Sequence, residues 1–127
     1  MLPARSRMRH AALLLFALLA LPLAGCSPSI ADLNARPEKY YTHRVKVVGH
    51  IERTQFLPHG TLLEVSDARG RRLIVRSLEP VDAQTGDWVR IEGVFAPEVT
   101  VEDATLYDVL SAEQVERTRA PRFQNLF

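Results

Sequence analysis

Arg44-Val45-Lys46-Val47-Val48-Gly49-His50-Ile51-Glu52 repeats with a period of two. Val45, Val47, Gly49 and Ile51 fall on one face, and Lys46, Val48, His50 and Glu52 on the other. A helical period would scatter these side chains around an axis, whereas a pleated strand sorts them into an apolar and a polar side. The pattern predicts a long strand running from Arg44 toward Phe56. Gly49 in its middle predicts a bulge or sharp bend, which a strand needs when it serves both halves of a small closed sheet.

Reading toward the C-terminus, Pro58-His59-Gly60 makes a turn. Thr61 to Ser66 is a second strand with Leu63 and Val65 inward. Asp67-Ala68-Arg69-Gly70 reads as a hairpin connection in which Gly supplies a positive φ. Arg71 to Arg76 is a third strand, Leu73 and Val75 inward. Ser77 to Gly86 is a longer connection, and Pro80 and Gly86 argue against a full helix there. Asp87 to Phe95 alternates again, with Val89, Ile91, Gly93 and Phe95 on one side and Trp88, Arg90, Glu92 and Val94 on the other. Ala96 to Thr105 is expected to be a loop. The last element runs from Leu106 to about Val115. Its parity is open between Tyr107/Val109 and Leu106/Leu110, and Ser111 to Arg117 is open between strand and helix. Arg117 to Phe127 reads as a tail. Reading the other way, Ser29 to Asn34 fits a helical turn docking Ile30 and Leu33, ended before Pro37.

These elements define an all-β chain with five strands. Pro37-Glu38-Lys39-Tyr40, Val45 to Ile51, Leu63-Glu64-Val65-Ser66-Asp67 and Gly86-Asp87-Trp88-Val89-Arg90-Ile91-Glu92-Gly93 together resemble the small bacterial envelope domains with an oligonucleotide/oligosaccharide-binding (OB) barrel, often labelled tRNA-anticodon-binding-like. The resemblance covers about residues 30 to 115. It implies a five-stranded OB-fold barrel and leaves the ligand open. Relatives often carry a Gly shortly after the Tyr; Thr42-His43 stands here instead, so a tight positive-φ turn is not expected.

The N-terminus has its own signature. Arg5, Arg7 and Arg9 precede the apolar run Ala11 to Leu21, with no acid among them. The run is shorter than the about 20 residues a membrane-spanning helix needs, and it suits a signal peptide. Leu23-Ala24-Gly25-Cys26 follows and resembles the lipobox of bacterial lipoproteins. That resemblance implies cleavage before Cys26 and a covalent lipid on its thiol. Cys26 is the only cysteine in the chain, so no disulfide is available and lipidation would remove an otherwise free thiol. The expected organisation is residues 1–25 as signal peptide, 26–29 as lipidated tether, 30–116 as the OB domain and 117–127 as tail. Translation from Met1 or Met8 leaves a workable signal. The expected location is the periplasmic face of the bacterial cell envelope, with Ser27 after the Cys favouring the outer membrane over the inner.

Charge bounds the function. Of 16 Lys and Arg, three leave with the signal, so 13 face 15 Asp and Glu and the mature net charge is about −2. Non-specific nucleic-acid binding rests on a clear basic excess, which is missing. OB barrels bind on the outer face of the first three strands and the adjoining loops. Lys46, Val48 and His50 from the first strand, Leu62 and Glu64 from the second, and Arg72, Ile74 and Arg76 from the third form the candidate ligand face. Val48, Leu62 and Ile74 are its apolar centre, and Lys46, Arg72 and Arg76 its rim. No aromatic ring lies there for bases to stack on. The expected role is a membrane-anchored, non-enzymatic binding or accessory module whose partner is an envelope protein or glycan. Nucleic-acid binding, or binding of a cation or small ligand, is the alternative. His43, His50 and His59 do not converge by spacing, so no metal site is expected. No cofactor is expected beyond the lipid on Cys26. No Ser, Cys or His sits in a nucleophile setting. Glu98, Glu102, Asp103 and Asp108 read as a solvated acidic loop. Phe123 and Phe127 in the tail either dock on the barrel or meet a partner.

Overall fold

Ser29 opens the first element of the computed structural model, which describes residues 27–121. Its hydroxyl accepts from the Asp32 amide at 3.1 Å, and its own amide donates to the Asp32 carboxylate at 2.9 Å. This capping box satisfies two amides that a helix start leaves unpaired. The helix, α1 (Ile30–Ala35), is short. Ile30 and Leu33 are buried and belong to the same core cluster as the strands. A 3-10 turn at Pro37–Lys39 follows.

Five strands complete the fold: β1 (Arg44–Leu57), β2 (Gly60–Ser66), β3 (Arg72–Ser77), β4 (Trp88–Val101) and β5 (Ala104–Arg117). They close into a barrel in the order β1-β2-β3-β5-β4. Only the β3–β5 pairing is parallel. The inward parity expected of the first four strands holds: Val45, Val47, Ile51, Leu63, Val65, Leu73, Val75, Val89, Ile91 and Phe95 are buried. β1 is shared. Arg44 to His50 pair with β4, while His50 to Leu57 pair with β2. Between β3 and β4, Leu78 to Asp87 form no helix.

Several sequence expectations are corrected. The register shift in β1 lies between Ile51 and Arg53, not at Gly49. Gly49 is small for a different reason: a Cβ there would fall 2.3 Å from Val65 Cγ1 and 3.0 Å from Ile30 Cδ1. Ala96 to Thr105 is not a loop. β4 runs through it to Val101, and β5 starts at Ala104 after the two-residue turn Glu102-Asp103. Glu102 takes a positive φ of 55° there. Ser111 to Arg117 is strand rather than helix. The parity of β5 is open in sequence because Val109 and Leu110 are both buried, just after Asp108 at φ 56°. The tight turn before β1 does form, with Thr42 at φ 65° in the Gly position; its amide donates to Phe95 O at 2.7 Å. The signal segment, Leu23, Ala24, Gly25, Cys26, Phe123 and Phe127 lie outside the described residues. Among the described residues no helix is long and apolar enough to cross a membrane.

Candidate ligand cleft

β1 and β2 outrun the barrel as an arm around Pro58-His59, and β4 and β5 do the same as a second arm from Pro97 to Asp108. The two arms flank the outer face of β2 and β3. Leu106 of the second arm lines the same hollow as Leu62 and Ile74, with Arg53 and Gln55 on its far wall; its volume is about 170 Å³. A second hollow of about 270 Å³ continues toward the arm tips, between His59 and Leu62 on one side and Val101, Glu102 and Asp103 on the other. Arg76 stands on its wall. Val101 and Val109 are buried, yet lie outside the main core cluster.

Electrostatically the floor is self-compensated. Glu64 accepts from Arg53 Nη2 at 3.0 Å and from Arg72 Nη1 at 2.8 Å, and its side chain is only 14% exposed. Charge-assisted bonds of this kind hold all three side chains. Arg76 forms no ion pair with any described residue. At the β1 bulge Glu52 accepts from the Ser66 hydroxyl at 2.6 Å and lies 3.3 Å from His50 Nδ1. The Ser66 hydrogen bond, opposed by burial and aided by His50 and Arg72, holds the Glu52 carboxyl below its usual range.

The structure divides the face expected from sequence. Leu62, Glu64, Arg72, Ile74 and Arg76 share the outer side of β2 and β3. Lys46 and Val48 do not join them. They pair with Glu92 and Arg90 of β4 and line a separate hollow with Trp88. His50 lies between the two surfaces, paired with Ser66 on one side and Trp88 on the other. The cause is the bulge at Glu52, which turns β1 from one half of the barrel to the other. Thus Val48 is not part of an apolar centre with Leu62 and Ile74; Leu106 takes that place. An aromatic ring also adjoins the expected face, since the Trp88 and His50 rings lie 5.5 Å apart. Sequence reasoning missed Val101, Glu102 and Asp103 by reading their segment as loop, and Leu106 because the parity of the last element was open. The alternation of Val99 and Val101 before the turn, and of Ala104 and Leu106 after it, was the available signal. Of the acids read as a loop cluster, Asp108 accepts a hydrogen bond from the Tyr41 hydroxyl, and Glu98 pairs in register with Tyr107. Among the described residues no group of three or more His, Cys, Asp or Glu side chains could hold a metal ion.

Known structures share this fold. A chain described as an aspartyl-tRNA synthetase from Leishmania major superposes with a TM-score of 0.58 at 12% identity, over 74% of this chain and 21% of that one. The telomere capping protein Ten1 from Saccharomyces pombe superposes at 0.54 and 13% identity, over 81% of this chain and 93% of its own. Asparaginyl-tRNA synthetase from Pyrococcus horikoshii follows at 0.50 and 13%, with 20% of its chain covered. The chain is an OB-fold barrel. At these identities the likeness fixes the fold alone, and against the synthetases this chain spans about a fifth of their length. No protein-family model and no curated protein sequence matches the chain. In OB-fold barrels the face of strands two and three, with the loops after strands one and four, is the binding surface, and it coincides with the cleft between the arms.

Proposed function

We propose that the protein is a lipid-anchored, non-enzymatic OB-fold binding module on the periplasmic face of a bacterial envelope membrane. The cleft between its arms would hold an envelope protein or glycan. The anchor rests on the basic start, the apolar run and Leu23-Ala24-Gly25-Cys26. One observation carries the choice of ligand: the cleft has an apolar floor of Leu62, Ile74 and Leu106, its deepest carboxylate is neutralised by two arginines, and its outer wall bears Glu102 and Asp103. A phosphate backbone would meet those two acids and only Arg76 free to answer it. A photo-crosslinking residue at Ile74, activated in intact cells, tests the reading. Adducts with an envelope protein or glycan support it, and adducts confined to nucleic acid overturn it.

Nucleic-acid binding is the second reading, favoured by the likeness of fold to a telomere capping protein and to tRNA synthetases. Titration with single-stranded DNA separates the two. Binding tighter than about micromolar with a steep salt slope supports this alternative, because released counterions would dominate the affinity.

A further inference from the structure

The separate hollow beside Trp88, of about 410 Å³, lies on the β1–β4 side of the barrel. Its rim holds Lys46 on β1, Arg90 on β4, and Arg69 and Arg71 on the β2–β3 hairpin, all exposed. Asp67 is the one acid in its lining. That carboxylate is consumed internally, accepting from the Arg69 and Arg71 amides at 2.9 Å each and from Arg71 Nε at 2.7 Å. Three acids border it: Glu92 pairs with Lys46 and Glu116 with Arg90 across the ladders, and Asp32 accepts from the Ser29 amide; the lining itself carries four cations against one acid. The hollow is thus a cationic patch on a chain whose mature net charge is about −2. Half-buried Val48 and Trp88 supply its apolar floor.

Its position matters as much as its charge. Ser27, Pro28 and Ser29 line the same hollow. Pro28 is buried, Ser29 is fixed by the capping box, and Ile30 is in the core. Ser27 alone separates Cys26 from this fixed structure. At no more than about 3.6 Å per residue, a lipidated Cys26 holds the hollow within roughly 10 Å of the bilayer surface. A swinging domain would need a long tether, which is missing.

We infer that the Trp88 face docks on the headgroups of a bilayer containing anionic phospholipid; this rests on the lipid-anchor reading above. Lys46, Arg69 and Arg90 meet headgroup phosphates, while Arg71 is held by Asp67. The Trp88 ring, apolar with one polar N–H, takes the interfacial position that tryptophan favours. The ligand cleft lies over β2 and β3 and shares no lining residue with this hollow, so docking leaves it open to the periplasm.

Trp88 is the only tryptophan in the chain, so its emission reports this face alone. The full mature protein is reconstituted in vesicles of phosphatidylcholine, or of phosphatidylcholine mixed with phosphatidylglycerol, each with or without bromine-labelled lipid. The expected result is a blue shift and bromine quenching in the anionic vesicles, reversed by high salt. The triple variant Lys46→Glu, Arg69→Glu, Arg90→Glu, whose unfolding midpoint checks its fold, should lower the docked-to-undocked ratio by on the order of a hundred-fold or more. Protein that floats with the vesicles but shows equal emission in neutral and anionic lipid overturns the docking and leaves the anchor standing. A shift that grows with protein density in neutral vesicles assigns the face to a second copy and also overturns it. Failure to float with neutral vesicles at high salt overturns the anchor, and the inference with it.

Discussion

Gly93→Ala is expected to destabilise the barrel strongly, at the seam between β4 and β5. A Cβ at Gly93 would lie 2.1 Å from Ser111 O, 2.8 Å from Ser111 C and 2.9 Å from Ala112 Cα. All three are backbone atoms of β5, so no side chain can rotate away. Ordinary contact begins at 3.4 Å, leaving the pair about 1.3 Å too close. If the strands part by that amount, ladder bonds of about 2.9 Å stretch past 4 Å and cease to be hydrogen bonds. Two such bonds contribute ~1 kcal/mol each, and overpacking strain adds about 1–3 kcal/mol. The cost is therefore about 3–5 kcal/mol, against a total stability of roughly 5–15 kcal/mol for a domain. At about 4–8 °C per kcal/mol for a domain near this size, the melting midpoint falls by roughly 12–40 °C. Thermal unfolding of the full chain in detergent, followed by far-ultraviolet circular dichroism, reads it directly. Gly70→Ala is the control: no atom lies within 4 Å of its Cβ, and only the φ of 81° opposes it, at about 1–2 kcal/mol. A Gly93→Ala protein melting within about 5 °C of the parent, on the same scale, would refute the close approach of β4 and β5, and with it the register that aims the second arm over the cleft.

Three further outcomes follow from single groups. Thr54 Oγ1 is buried with no hydrogen-bond partner among the described residues, so Thr54→Val, nearly isosteric, is expected to raise stability by about 1–2 kcal/mol; an unchanged or lower denaturation midpoint counts against that burial. Burial pushes the Asp67 carboxyl up, but hydrogen bonds from Arg71 and Arg69 and the Arg71 charge outweigh it and hold the group below its ordinary value. A depressed folded-state value means that its stabilisation is present above pH ~4 and is lost as the pH falls further; Asp67→Asn should flatten that acid limb of a denaturant-midpoint series, and an unaltered limb would discount the hairpin clasp. The hydrogen bond to Asp108, with burial and the Asp108 and Glu38 charges, pushes Tyr41 from 10.0 up to about 12. A raised value means that its stabilisation is present below pH 10 and is lost as the pH climbs through about 12. Phenolate absorbance should show one late tyrosine that disappears in Tyr41→Phe; a late tyrosine that persists there would contradict the Tyr41–Asp108 link.

The alternation at Val45 to Ile51, and again at Val89 to Phe95, made the barrel strands legible because each buries one face in a single core. The arms were not legible for the converse reason. Beyond Phe95 the strand leaves the main core, so only Val99 and Val101 alternate with Glu98 and Thr100, a stretch short enough to pass for loop. The turn at Glu102-Asp103 was hidden as well, because a Glu takes the positive φ where Gly, Asn or Asp would have announced a hairpin. β5 defeated parity because Asp108 breaks the pleat, leaving Val109 and Leu110 both buried. For the site, β2 and β3 yielded Leu62, Glu64, Arg72, Ile74 and Arg76, since alternation alone fixes their side. The assignment failed where β1 changes partners: a bulge at Glu52, which no residue type marks, sends Lys46 and Val48 to the other surface.

The most direct test of the account is the mass of the amino-terminal peptide from protein extracted out of native membranes. The account predicts a peptide beginning at Cys26 and heavier than its amino acids by a diacylglycerol, with or without a further acyl chain. A bare Cys26, or a peptide that retains Leu23-Ala24-Gly25 ahead of it, would contradict the lipid anchor.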